Sequence, residues 1–286
     1  MAPCPPMCFC LPRMPYRTFI LAFFGLLLAA APATAQRFKP EPDLATSYED
    51  MQRYQQCLQL AEKKPADGFE AAMQWRDTSG SNAAKQCVAV ALFYLDEPEE
   101  AASRLEELAL DMKAARPELR ARILSQAGTA WSVANEPERA NAAITTAIQL
   151  APKLPDLYVD RSMVLAQAKN YWEAIDDLNK ALDLQPGYGI ALAFRAAAYR
   201  YVDSLELAQQ DADEAVRVAP DIPEGWLERG IIRRLKGNLK GARADWLQVL
   251  VLDPEGAAGD TARANIERLE LHLDNAPVNL PPQPRG

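Results

Sequence analysis

NYWEAIDDLNKALDLQP, residues 170–186, decides how this chain is read, because its features return at a constant interval. Its last residue, Pro186, is one of four prolines, with Pro152, Pro220 and Pro254, that stand 34 residues apart. A fixed period of this length is the mark of a stacked helix-turn-helix array. Let each unit be numbered so that its proline falls at position 32. Position 20 is then Ala140, Ala174, Ala208 and Ala242, and position 8 is always small: Gly128, Ser162, Ala196 and Gly230. Small residues at those places let two helices approach closely. Positions 4 (Leu124, Tyr158, Leu192, Trp226), 27 (Ala147, Ala181, Ala215, Val249) and 30 (Leu150, Leu184, Val218, Leu252) give each helix one apolar stripe, which only a neighbouring unit can bury.

Residues 170–186 and WLERGIIRRLKGNLKGARADWLQVLVLDP, residues 226–254, resemble the tetratricopeptide repeat (TPR) family, and the likeness covers residues 121–256. It implies an all-α, right-handed solenoid. The expected organisation is a leader (1–35), a flexible linker (36–47), divergent helical hairpins (48–115), a TPR array (116–256), a capping helix (257–275) and a Pro-rich disordered tail (276–286). LDEPEEAASRLEELA (95–109) repeats the turn of ANEPERANAAITTAI (134–148) at a spacing of 39, so five residues are inserted near MKAARPE (112–118).

From Met14, a plausible true start, MPYRTFILAFFGLLLAAAPATAQ carries Arg17, an apolar run from Phe19 to Ala31, and Ala33-Thr34-Ala35 before Gln36. That is the pattern of a cleaved secretory signal. The apolar run is shorter than the ~20 residues of a membrane-spanning helix, so no stable membrane insertion is expected after cleavage. The expected compartment is the bacterial periplasm. Cys4, Cys8 and Cys10 precede that signal, with no histidine nearby to suggest a metal. Cleavage leaves Cys57 and Cys87, and two cysteines in an exported chain most often pair.

The net charge is −8, and loss of Arg13 and Arg17 with the leader takes it to −10, which disfavours nucleic acid and anionic membrane surfaces as partners. Catalytic signals are sparse. His272 is the single histidine and lies in the capping helix; Asp176 and Asp177, or Glu99 and Glu100, are adjacent helix residues that point apart; and there is no Gly-rich phosphate loop. No enzyme, cofactor or metal is expected.

One charged pattern repeats. Arg161, Arg195 and Arg229 stand at position 7, and Asp177, Asp211 and Asp245 at position 23, whereas the preceding unit has Ala127 and Ala143. Charges that come and go together predict structural ion pairs, closed within a unit or across to the next.

The family resemblance places the ligand on the concave face, at positions 2, 5, 9, 12 and 13 of each first helix. In the first unit these are Arg122, Ser125, Thr129, Ser132 and Val133; in the second, Asp156, Val159, Met163, Ala166 and Gln167; in the third, Ile190, Ala193, Ala197, Arg200 and Tyr201; in the fourth, Glu224, Leu227, Ile231, Arg234 and Leu235. Val159, Met163, Ile190, Arg200, Tyr201, Leu227, Ile231, Arg234 and Leu235 are the candidate groove contacts. The Lys and Asn clamp of the chaperone-binding members is missing at positions 5 and 9. The implied function is a non-catalytic adaptor for a peptide or helix of another envelope protein. A structural or self-associating component whose groove is filled by its own chain remains the alternative.

Overall fold

The computed structural model describes residues 41, 44, 45 and 47–274, with side chains up to residue 270. The leader, the tail, most of the 36–47 linker and the side chain of His272 lie outside the described residues.

The described chain is all helix: α1 (Tyr48–Lys63), α2 (Pro65–Ser79), α3 (Asn82–Tyr94), α4 (Pro98–Asp111), α5 (Pro117–Val133), α6 (Pro137–Leu150), α7 (Pro155–Gln167), α8 (Tyr171–Leu184), α9 (Gly189–Tyr201), α10 (Leu205–Val218), α11 (Pro223–Leu235), α12 (Leu239–Leu252) and α13 (Ala257–Asp274). Odd-numbered helices form one layer and even-numbered helices the other, each packed on its sequence neighbours. This is a solenoid of helix-turn-helix repeats ending in a capping helix.

Local chemistry sets the helix starts. Proline occupies the first turn of α2, α4, α5, α6, α7 and α11, where its fixed φ suits the helix and its missing N–H would have had no partner. Ser47 and Ser81 cap α1 and α3 by accepting from the N–H groups of Asp50 and Ala84 at 3.1 and 3.2 Å.

The turn inside each hairpin is closed by one recurring device. Asp96, Asn135, Lys169, Asp203 and Gly237 all take φ between 60° and 81°. The next residue's N–H then donates to the carbonyl five positions back: Glu97 to Leu92, Glu136 to Trp131, Asn170 to Leu165, Ser204 to Tyr199 and Asn238 to Arg233, at 2.8–3.0 Å. This left-handed close ends one helix and sends the chain back along it.

Packing follows the small-residue positions. Ala140, Ala174, Ala208 and Ala242 have no exposed surface. A Cβ on Gly128 would collide with Cγ1 of Ile144, and one on Gly230 would collide with Nε1 of Trp246. Position 8 thus packs against position 24 of the same hairpin, and glycine there leaves room for Ile144 and Trp246.

The five residues inserted near 112–118 are divided between α5, which has 17 residues where α7 has 13, and the loop before it, which is one residue longer. Pro117 at the first turn lets the helix begin early, which costs less than ordering an irregular loop. The 36–47 segment is not a free linker at Glu41 and Leu44, which are 6% and 3% exposed. Leu44 joins the core cluster of Tyr54, Cys57 and Leu58.

Cys57 of α1 and Cys87 of α3 form a disulfide with their Cα atoms 6.3 Å apart. Closing a loop of 30 residues stabilises the native state by about 3–4 kcal/mol in the chain-entropy account. It ties together the hairpins whose repeat pattern is weakest.

At the other end, α13 starts at Ala257, 34 residues after α11 starts at Pro223. The cap is therefore in register as the first helix of a fifth unit. Ala258, Ala262, Ile266 and Leu269 bury one face of it against Trp246 and Val249 of α12.

Candidate peptide-binding face

The odd-numbered helices bring the resemblance-derived groove positions into one layer, and side-chain hydrogen bonds cross that layer from unit to unit. Ser125 of α5 donates to the Asp160 carboxylate of α7 at 2.5 Å, the hydroxyl of Ser132 is bonded to Gln167, and the Tyr188 hydroxyl donates to Asp156. Burial and the Asp156 carboxylate both hold the Tyr188 phenol protonated to above its usual range. Earlier in the layer, the Tyr54 hydroxyl donates to Gln86 and Gln86 donates to Gln126, joining α1, α3 and α5.

The nine candidate contacts separate into two groups. Val159 is buried and packs with Tyr158, Leu178 and Ala191, so it is core and not groove. Leu227 and Ile231 pack against the cluster that α12 and α13 share, because the capping helix lies beside α11. Arg200 forms a bidentate pair with Glu228 of α11; both side chains are under 10% exposed, so this cation holds two units together. Val159 and Arg200 are thus engaged within the fold, and Leu227 and Ile231 are partly so.

Met163, Ile190, Tyr201 and Arg234 are half-buried and Leu235 is exposed. Tyr201 stacks face to face on Tyr171 with ring centroids 4.6 Å apart, and the Arg200 guanidinium lies 4.4 Å from its ring. Nearby on α11, burial raises the Glu224 carboxyl above its ordinary value, with Asp253 adding repulsion.

The six ion-pair residues meet as three pairs within their own units. Arg161 holds Asp177 through Nε and Nη2 at 2.7 and 2.6 Å, Arg195 holds Asp211 at 2.7 and 2.8 Å, and Arg229 holds Asp245 at 3.1 and 2.8 Å. The free Nη1 reaches back 16 residues into the preceding unit, to Thr145, Asn179 and Asp213 respectively. Each arginine thus serves both arrangements considered from sequence: it closes its own hairpin and clips it to the one before. Hydrogen bonding to the aspartate outweighs burial and raises the Arg161 and Arg195 pKa values.

Arg195 is 20% and Asp211 12% exposed, between the surface and fully buried cases. Arg195→Ala is expected to cost about 2 kcal/mol in chemical denaturation. A loss under about 0.5 kcal/mol would show that water already screens the pair.

Sequence reasoning missed Glu228, Glu41 and Tyr54. Glu228 had a faint signal, since it stands one turn before Ile232 on a buried helix face, where an unpaired carboxylate is costly. Glu41 had none, as it lies outside every repeat.

Among the described residues no group of His, Cys, Asp or Glu is placed to hold a metal ion, and no helix is long and apolar enough to cross a membrane.

The period and the helix arrangement together define a solenoid of tetratricopeptide-like helix-turn-helix repeats. No protein-family model matches the chain. A DnaJ homolog subfamily C member 7 homolog of Dictyostelium discoideum is 30% identical over 137 residues, covering 46% of this chain and 25% of that protein. The chain spans a third or less of the length of the curated relatives it matches. In fold it is similar to a thermophilic TPR protein of Thermus thermophilus (TM-score 0.55, 16% identity, 66% of this chain and 99% of that one). It is likewise similar to pilF of Pseudomonas aeruginosa (TM-score 0.53, 18% identity, 75% and 96%).

Proposed function

We propose that this protein is a non-catalytic interaction scaffold, exported to the bacterial envelope, that binds a peptide or helical segment of another envelope protein along its odd-helix face. The observation that carries the reading is the set of accessible side chains on that face: Met163, Ile190, Tyr201, Arg234 and Leu235 remain half-buried or exposed where the inter-helix faces are filled. Apolar and aromatic contacts beside an arginine suit a short segment with aliphatic anchors and one acidic residue. One relative, sgt12 of Aspergillus fumigatus, is by name a co-chaperone. The clamp positions here hold Ser125, Thr129, Val159 and Met163, which offer no cationic grip on a terminal carboxylate, so an internal segment is the better fit.

Export is supported by the signal-like residues 14–36 and by the disulfide, a bond that persists in oxidising compartments. N-terminal sequencing of the envelope fraction should begin at Gln36; an intact Phe19–Ala31 segment would overturn cleavage. For binding, residues 36–286 are used to capture partners from envelope extract. The triple change Met163→Ala, Arg234→Ala, Leu235→Ala should abolish capture that Glu206→Ala, a change on an exposed even-helix residue, leaves intact. Equal capture by both proteins would place binding elsewhere.

A further inference from the structure

The N-terminal end of the odd-helix face is already occupied, by the chain itself. The backbone N–H of Glu41 donates to the Tyr54 hydroxyl of α1 at 3.4 Å, and its carboxylate meets Nη1 of Arg122 on α5 at 3.3 Å. These contacts lie on helices two apart in the layer, so the segment crosses the layer. Arg122 is itself a groove position of the first unit. Three residues on, Leu44 is sealed into the cluster that contains Tyr54, Cys57, Val88 and Leu124. The site beneath is built, not incidental: Tyr54 and Gln86 have no exposed surface, and the chain of donors from Glu41 through Tyr54 and Gln86 ends at Gln126. Burial keeps the Tyr54 phenol protonated above its usual range, although the hydrogen bond from the Glu41 N–H opposes it, so the hydroxyl remains a donor.

The arginine of the ion pair that holds Glu41 is 44% exposed, and the hydrogen bond from the Glu41 N–H to Tyr54 is long, at 3.4 Å. Against them stands the conformational entropy of every residue that must be ordered. The segment competes with any other occupant through its tethering, which gives it a high local concentration.

Building on the binding face proposed above, we infer that the surface from Tyr54 to Arg122 recognises a peptide segment with a carboxylate and, three positions later, a leucine, and that Glu41 and Leu44 occupy it as an internal ligand that a partner of the same chemistry displaces. The arginine selects the acidic residue, the cluster around Leu44 selects the aliphatic one, and the Tyr54 hydroxyl accepts from the backbone N–H of the acidic residue.

The test uses a fluorescein-labelled peptide of residues 37–47, RFKPEPDLATS, and anisotropy. The Glu41→Ala, Leu44→Ala variant should bind it at least about 10-fold more tightly than the unaltered chain, whose own segment competes at roughly millimolar effective concentration. Adding Arg122→Ala should weaken that binding about 10-fold, and a peptide with alanine at the two anchor positions should not bind. Equal or undetectable binding by the two folded proteins would overturn the inference and make residues 41–44 a fixed part of the N-terminal core. Should the double variant lose its helical circular dichroism, Arg122→Glu supplies the second route. It should raise hydrogen exchange at residues 44 and 45 and admit the same peptide, and unchanged exchange would again overturn the proposal. The two readings fail separately, because capture that depends on Met163, Arg234 and Leu235 survives a failure here.

Discussion

Glu228→Ala is expected to destabilise the C-terminal units by about 3–5 kcal/mol, far more than its position on a helix would suggest. The Glu228 and Arg200 side chains are 8% and 7% exposed, and the pair joins α11 to α9. Burial by itself pulls the Arg200 pKa down, but the Glu228 carboxylate outweighs it and leaves the guanidinium charged more firmly than usual. Removing the carboxylate leaves that cation buried beside the Tyr201 ring without its counter-ion. Glu228→Gln keeps an acceptor and should cost less. Because solenoid units unfold semi-independently, the measurement is hydrogen exchange resolved by helix together with urea denaturation. Protection should fall in α9 through α13 and persist in α1 through α5. A total loss under about 1 kcal/mol would show that Arg200 escapes to solvent.

What the sequence shows and hides here follows from which interactions are periodic. The hairpins were legible because one helix pair cannot bury its stripe alone, so position 8, position 20 and the closing proline are constrained in every unit. The Arg-Asp pairs were legible for the same reason, since both partners vanish together where Ala127 and Ala143 stand. The turn residue at position 15 was not. Asn135, Lys169, Asp203 and Gly237 share a backbone conformation and no side-chain type. Several residue types accept a single left-handed position when two backbone hydrogen bonds offset its strain.

The binding face was legible only in outline. Position 5 is Val159 in one unit and Leu227 in another, yet whether either is available depends on what packs beside it. Val159 is covered by α8 and α9 residues, and Leu227 is partly buried against the α12–α13 cluster. Arg200 reads as a groove cation until its partner 28 residues later is seen, a pairing that the 34-residue period does not announce. Glu41 lies before the first repeat and reaches Arg122 across 81 residues, a contact that only tertiary structure reveals. Function in such an array is therefore written in the departures from the period, while the period itself writes the scaffold.

The packing of position 8 against position 24 gives the second large effect. Trp246 is fully buried on α12; its indole N–H donates to the Leu227 carbonyl at 3.3 Å, and its ring fills the space that Gly230 leaves open. Trp246→Ala should cost about 3–5 kcal/mol, because the core of α11, α12 and α13 loses its largest side chain and cannot collapse onto a glycine. Gly230→Ser alone should cost about 1–3 kcal/mol by overpacking against the indole. The second unit solves the same space with Ser162 opposite Leu178, and both are buried there. Combining Gly230→Ser with Trp246→Leu should thus cost less than the sum of the single changes by at least about 1 kcal/mol in a double-mutant cycle. Strict additivity would mean that the two positions are chosen independently, and that the small residue at position 8 serves helix approach alone.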